Sequence, residues 1–163
     1  IQKGRGITQL FSVIQQTNNL AACIIGDGEA KQFFTLLAKK LNIYNKVFFV
    51  NKTPYLELFQ YTAACDIGWA VIQKRGLSNQ FALPNKFFEY GLMNLPVIAS
   101  RLPNMEAIFK QHNLGVLVEP LDTAGQLSAI ESLRKNNTNY QKIILNNFLW
   151  DKQENQFMQL INE

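Results

Sequence analysis

Five apolar segments of strand length alternate with helical segments along this chain, and that alternation limits its fold more than any other feature. The strand-like segments lie at residues 20–25, 46–50, 66–72, 96–99 and 114–118. Strands that are separated by helices build a parallel sheet with helices on both faces. The sequence therefore predicts a Rossmann-like α/β domain whose ligand binds beyond the carboxyl ends of the strands.

Composition places the chain among globular proteins of one domain. It has 163 residues, of which 47% are hydrophobic and 17% charged, enough to build a substantial core. The net charge of +4 would suit an anionic ligand or an acidic membrane surface, and it would equally serve solubility alone. Because the basic residues form no dense stripe, we expect no nucleic-acid partner.

The two cysteines and the hydropathy pattern indicate the cellular compartment in which the protein is expected. Cys23 and Cys65 fall in predicted apolar strands without metal-type spacing, which favours buried free thiols in a reducing compartment. No apolar run approaches the roughly 18–20 residues that span a bilayer, and we find no signal peptide. We expect a cytoplasmic protein that can touch the inner face of the cell membrane.

The segment around Pro84 carries the strongest site signal. Proline is tolerated in a first helical turn, and Asn94 is a residue type that tolerates the left-handed conformation at a helix end, so a helix is predicted between them. The start of a helix attracts anions. Lys86 and Glu89 lie close enough to that start to contact a ligand, although their spacing also fits an ordinary ion pair on a solvated face.

This segment resembles a known donor site. The residues Pro84-Asn85-Lys86-Phe87-Phe88-Glu89-Tyr90, followed by Leu95-Pro96-Val97-Ile98-Ala99-Ser100, are similar to the signature of retaining glycosyltransferases of the GT-B fold, in glycosyltransferase family 4. The resemblance implies that the helix start meets the diphosphate of a nucleotide sugar and that Glu89 binds the ribose. It makes Leu83, Asn85 and Lys86 donor-binding candidates as well.

Two positions depart from the usual family pattern. Phe81 stands where most members carry a glutamate that helps to hold the donor sugar, and Pro84 stands near a usual glycine. A subgroup with a Pro-Asn-Lys-Phe-Glu-Tyr style of motif also lacks that first glutamate, and this chain resembles the subgroup more closely. The catalytic residues stay unassigned.

The resemblance also implicates residues outside the signature. A basic residue in the first glycine-rich turn reaches the diphosphate in the family, and Arg5, which precedes Gly6, fits that position. The loop after the second predicted strand lies beside the nucleobase, so Asn51 and Lys52 become candidates. Arg5, Asn51 and Lys52 would show the same sequence pattern if they were ordinary surface residues that bind no ligand.

The resemblance implies that residues 1–163 form a single nucleotide-sugar-binding domain, the C-terminal half of a GT-B enzyme. Since the first predicted element is a helix, we expect that a first strand and an N-terminal acceptor domain belong to the same polypeptide. The intact enzyme would transfer a hexosyl unit without a metal or other cofactor, in the synthesis of a bacterial surface polysaccharide. The isolated domain is expected to be inactive.

Two other functions remain open at this point. One is half of a GT-B-fold sugar-nucleotide epimerase, an enzyme class that uses additional acidic and histidine residues, whereas this chain has only His112. The other is a nucleotide-binding module without catalysis.

Overall fold

The computed structural model describes residues 1–134 and 137–162, with the side chains of residues 155, 156, 160 and 162 left aside. The strands are β1 (Ala22–Ile25), β2 (Val47–Val50), β3 (Gly68–Ala70), β4 (Val97–Ser100) and β5 (Gly115–Val118). The first helices are α1 (Ile7–Gln15), α2 (Lys31–Lys40), α3 (Tyr55–Ala63), α4 (Leu77–Gln80) and α5 (Asn85–Leu92). They are followed by α6 (Pro103–Gln111), α7 (Thr123–Leu133), α8 (Tyr140–Asn147) and α9 (Trp150–Asn162).

The strands are parallel, as the alternation predicts, but their pairing forms two sheets. β1 pairs with β2, aligning Cys23 with Phe48. β3, β4 and β5 form the second sheet in that order, with Ala99 of β4 between Ala70 and Leu117. Among the residues that the structure describes, no ladder joins β1 to β3. The expected single sheet is therefore divided between its second and third strands in chain order.

Three groups of buried side chains pack the helices against the two sheets. Phe11 of α1 and Phe34 of α2 pack edge to face, with ring centroids 6.0 Å apart, against the first sheet. Phe87 of α5 lies among α6, α8 and one face of the second sheet. Val13, also from α1, joins α7 on that sheet's opposite face. Helix α1 therefore contributes to the cores of both sheets.

The helix with the resembling motif begins and ends close to the predicted residues. Pro84 occupies its N-cap with φ −75°, and regular helix starts one residue later, at Asn85. After the helix, Asn94 adopts φ 61°, the left-handed conformation predicted for it. Gly91, inside the helix, leaves room for α8, because a Cβ there would lie 2.7 Å from Cγ1 of Ile144.

The prediction of buried cysteines is wrong for Cys23, whose side chain is exposed on β1. Cys65 is half-buried and lies between α3 and β3 rather than inside a strand. Both thiols are free, and partial loss of contact with water raises the pKa of each. In the described part of the chain, no helix combines the length and hydrophobicity needed to cross a membrane.

Candidate functional site

The segment before α1 lies across the carboxyl ends of β1 and β3. The backbone N–H of Ala30 donates to the carbonyl of Ile1 (3.4 Å), which places the segment's start beside the loop after β1. The carbonyl of Gly4 accepts a hydrogen bond from the N–H of Gln73 (3.0 Å), three residues beyond the end of β3 at Ala70. Arg5 is therefore held at the sheet edge where parallel α/β folds bind their ligands.

Gly6 fixes this segment against β3. Its φ is 79°, and a Cβ at this position would lie 2.1 Å from the carbonyl oxygen of Val71. Its own carbonyl accepts a hydrogen bond from Nε1 of Trp69 (3.0 Å). A side chain would push the turn off the strand, so the backbone position next to Arg5 depends on glycine.

Arg5 and Lys86, which are distant in the sequence, meet in one cleft. Lys86 is the second residue of α5, and its Nζ donates to the carbonyl of Trp69 (3.0 Å). Burial, together with the smaller effect of the nearby positive charge of Arg5, lowers the pKa of Lys86 to about 8. Both side chains line a cleft of about 540 Å³ that also borders Gly28 and Glu29. Two cations at a helix start form a favourable environment for a phosphate group.

Glu89 lies one turn further along α5. One of its carboxylate oxygens accepts a hydrogen bond from the hydroxyl of Tyr55 on α3 (3.2 Å). With Lys86 it lines a second cleft, of about 490 Å³, between the two sheets. Lys86 thus bonds to Trp69, and Glu89 bonds to Tyr55. Each side chain therefore has a partner other than the one that an ion pair between Lys86 and Glu89 would give it.

Asn51 and Lys52 lie at the same edge of the fold but outside the lining of both clefts. The side-chain oxygen of Asn51 accepts from Nζ of Lys31 (2.7 Å), and Lys31 also pairs with Asp27 (2.8 Å). The backbone N–H of Lys52 donates to Asp27 (3.2 Å). The hydrogen bond from Lys31, followed by that from Lys52, lowers the pKa of Asp27. These contacts join the loops after β1 and β2.

The long connection between β3 and α5 is fastened from the other side. Leu83 and Asn85 are exposed on either side of Pro84. The amide of Asn104 donates to the carbonyl of Phe81 (2.7 Å), while the Phe81 ring remains 56% exposed. The position of the usual glutamate is therefore occupied by a ring that faces solvent.

An ion pair also joins this connection to Glu119, the residue after β5, and Arg101 shares that acceptor. Lys74 pairs with Glu119 (3.1 Å), and Arg101 pairs with Glu119 (3.5 Å) and Glu106 (3.2 Å). Each pair is well exposed, so each contributes about 1 kcal/mol or less. The two pairs of Glu119 and the Tyr55–Glu89 bond have no local sequence signal, since their partners come from separate elements, whereas Arg101 and Glu106 are only five residues apart.

In the described ranges, no group of three or more His, Cys, Asp or Glu side chains is arranged to hold a metal ion.

Comparison with known proteins extends this picture. The family model described as glycosyl transferases group 1 matches residues 2–150. A search of curated proteins found no match. Among solved structures, HepE from Anabaena in complex with UDP is similar at a TM-score of 0.80 and 17% identity, covering 99% of this chain and 46% of that one.

Two further structures show the same fold. Sucrose-phosphate synthase from Thermosynechococcus elongatus gives a TM-score of 0.76 at 20% identity, with 99% of this chain and 42% of that chain covered. WaaG, a glycosyltransferase involved in lipopolysaccharide biosynthesis, gives 0.64 at 15% identity, with 88% and 38% covered. The chain thus spans less than half the length of these solved structures.

Proposed function

The chain belongs to the glycosyl transferases of group 1 and has the Rossmann-like architecture of GT-B enzymes, and we propose that it is the half that binds the nucleotide sugar donor. The intact enzyme then transfers a hexosyl unit with retention of configuration in the synthesis of a surface polysaccharide. HepE in complex with UDP-glucose and WaaG in lipopolysaccharide biosynthesis support this choice of donor and pathway class. Its N-terminal partner is an acceptor-binding domain of the same polypeptide.

The observation that carries the proposal is the meeting of Arg5 and Lys86 at the start of α5, with Glu89 one turn away. The diphosphate rests on the helix start, where the two cations neutralise the charge that develops on the leaving group. The Glu89 carboxylate, oriented by Tyr55, accepts hydrogen bonds from the ribose hydroxyls. Leu83 and Asn85 contact the donor at the same helix start, and Asn51 and Lys52 contact the base.

This division of roles gives two variants with different expected results. Arg5→Ala removes a charge from the diphosphate site, so calorimetry should show UDP and inorganic pyrophosphate both binding about tenfold or more weakly. Glu89→Gln weakens UDP binding alone, because pyrophosphate has no ribose. Lys142→Ala is the matched control, since Lys142 is exposed near the start of α8, beside the Asn94 end of α5.

Three results would contradict the proposal: no binding of UDP or GDP, equal losses for UDP and pyrophosphate in Glu89→Gln, or an Arg5→Ala variant that behaves like the control. Because the site is built from basic side chains and a helix start, EDTA should leave UDP binding unchanged. The 163-residue chain alone should not transfer or hydrolyse UDP-glucose, since acceptor contacts come from the other domain.

Nothing in the site favours an epimerase. His112 lies at the C-cap of α6, and its ring packs against Phe148 with centroids 5.1 Å apart. The start of α6 follows the carboxyl end of β4, so the other end of the helix carries His112 away from the edge that holds Arg5 and Lys86.

We infer that the enzyme works in the cytoplasm at the inner face of the membrane. The supporting observation is the formal charge of +4, because anionic lipids attract basic proteins. Sedimentation with vesicles of anionic and of neutral lipid tests this, with binding expected to the anionic vesicles alone.

A further inference from the structure

Tyr55, the first residue of α3, touches the proposed ribose-binding group directly. Its hydroxyl donates to a carboxylate oxygen of Glu89 (3.2 Å). Among the residues that the structure describes, no other side chain donates a hydrogen bond to the Glu89 carboxylate, so its second oxygen is left for a ligand. Tyr55 therefore lies beside the place where the proposed function puts the ribose of the donor.

The ring of Tyr55 is held in place without being buried. It packs edge to face with Phe59, one helical turn later, with ring centroids 4.9 Å apart. The residue nevertheless stays 60% exposed. A tyrosine with this exposure contributes little to the core, so packing alone does not explain why an aromatic ring stands here. An exposed and oriented ring is a surface on which a planar base can stack.

The covalent geometry of a nucleotide connects the Tyr55 ring with Glu89. In a ribose, the carbon that carries the base is bonded to a carbon that carries a hydroxyl. A ribose whose hydroxyls bond to Glu89 therefore holds its base immediately beside that carboxylate. The Tyr55 ring is joined to the same carboxylate through its own hydroxyl. Base and ring are then close enough to stack with an offset, the arrangement that aromatic pairs prefer.

The loop before α3 has already used part of its capacity for hydrogen bonds to a base. The side-chain oxygen of Asn51 accepts from Lys31 (2.7 Å), and the backbone N–H of Lys52 donates to Asp27 (3.2 Å). Each of these groups would have to exchange partners before it could bond to the edge of a base, which reduces its net contribution. The exposed ring of Tyr55 needs no such exchange, so stacking can supply affinity that these groups do not.

We propose that the nucleobase of the donor stacks on the ring of Tyr55, while the Tyr55 hydroxyl keeps the Glu89 carboxylate turned toward the ribose. One side chain thus positions the base and the ribose together. The inference rests on the proposed function, because it takes Glu89 as the group that binds the ribose. Since every nucleobase has a flat aromatic face, the stacking adds affinity, and the choice between uracil and guanine falls to other contacts.

Calorimetry with UDP and with ribose 5-diphosphate, which lacks the base, separates the two parts of this role. Tyr55→Phe keeps the ring and removes the hydroxyl, so it should weaken both ligands by the same factor, about fivefold or less. Tyr55→Leu also removes the ring, so it should weaken UDP about tenfold more than Tyr55→Phe does. For ribose 5-diphosphate the two variants should be equal, because this ligand has nothing to stack.

Tyr61→Leu is the matched control. Tyr61 is an exposed tyrosine near the opposite end of α3, where its carbonyl accepts from the Cys65 thiol, so its loss should leave the binding of both ligands unchanged. Proton NMR provides a second measurement. The signals of the uracil ring protons should move upfield when UDP binds the wild-type protein or Tyr55→Phe, and not when it binds Tyr55→Leu, since a leucine side chain has no ring current.

Equal UDP affinities for Tyr55→Leu and Tyr55→Phe, with equal shifts of the uracil protons, would overturn this inference and leave the proposed function standing. A loss in Tyr61→Leu as large as that in Tyr55→Leu would also overturn it, because the effect would then come from α3 as a whole. Failure of the wild-type protein to bind either UDP or ribose 5-diphosphate would instead overturn the proposed function itself.

Discussion

The two sheets are built from equally apolar strands but bury them very differently. All four residues of β4, Val97–Ser100, are buried, because β4 has a strand on each side and helices on both faces. In the first sheet Cys23 is exposed and Phe48 is 59% exposed, since α1 and α2 cover only one face. Apolar character alone thus does not decide how deeply a strand is buried. The number of strands and helices that pack against it does.

The largest expected contrast between the two regions concerns their aromatic side chains. Phe87 is 0% exposed against the second sheet, so Phe87→Ala should lower the free energy of unfolding by about 3–5 kcal/mol. Phe48→Ala on the first sheet should cost no more than about 0.5 kcal/mol. Urea denaturation of both variants measures this, and similar costs would show that the first sheet is as well packed as the second.

The turn that joins the two regions comes next. Gly4 and Gly6 both have a φ near +80°, but only Gly6 approaches a backbone atom closely, the carbonyl of Val71. Gly4→Ala should cost no more than the roughly 1–2 kcal/mol of the left-handed conformation. Gly6→Ala should cost more and also weaken UDP binding, because the Arg5 turn must move. Thermal unfolding and calorimetry test this pair, and equal effects would refute the role of close packing.

A buried hydroxyl extends the pairing of β3 with β4. The N–H of Ile72 donates to Oγ of Ser100 (2.7 Å), and the Ser100 hydroxyl donates to the carbonyl of Ile72 (2.8 Å). Ser100→Ala leaves both backbone groups unpaired and should cost about 1–3 kcal/mol in denaturant unfolding. Ser132→Ala, which removes a bond to Ala129 on the half-buried surface of α7, should cost less. A smaller loss at Ser100 would mean that water replaces its two bonds.

An effect that depends on pH is expected at Lys86, where the two regions meet. Its pKa of about 8 in the folded chain is below the ordinary value of 10.5, so the unfolded chain binds more protons between these values. Stability should therefore rise with pH across about 8 to 10.5. Lys86→Met should flatten that rise, and Lys142→Met should keep it. Urea midpoints across this pH range measure it, and an unchanged slope in Lys86→Met would assign the effect to another group.

Much of the fold could be predicted from periodicity and a few special residues. The five strand segments and the Asn94 turn depend on nearby residues. The division into two sheets could not be predicted this way. Strand pairing is decided by which edges meet in space, and an apolar segment has the same pattern whether its neighbour is present or not.

The candidate site divides in the same way. The sequence by itself determined that a helix begins beside Lys86, that Glu89 lies one turn on, and that a glycine turn precedes α1, because each follows from local backbone preference. Only the tertiary structure brought Arg5 to Lys86 and Tyr55 to Glu89, and only it exposed Cys23 and placed Asn51 outside the clefts. Burial and long-range pairing depend on how separate elements pack, which short-range patterns do not record.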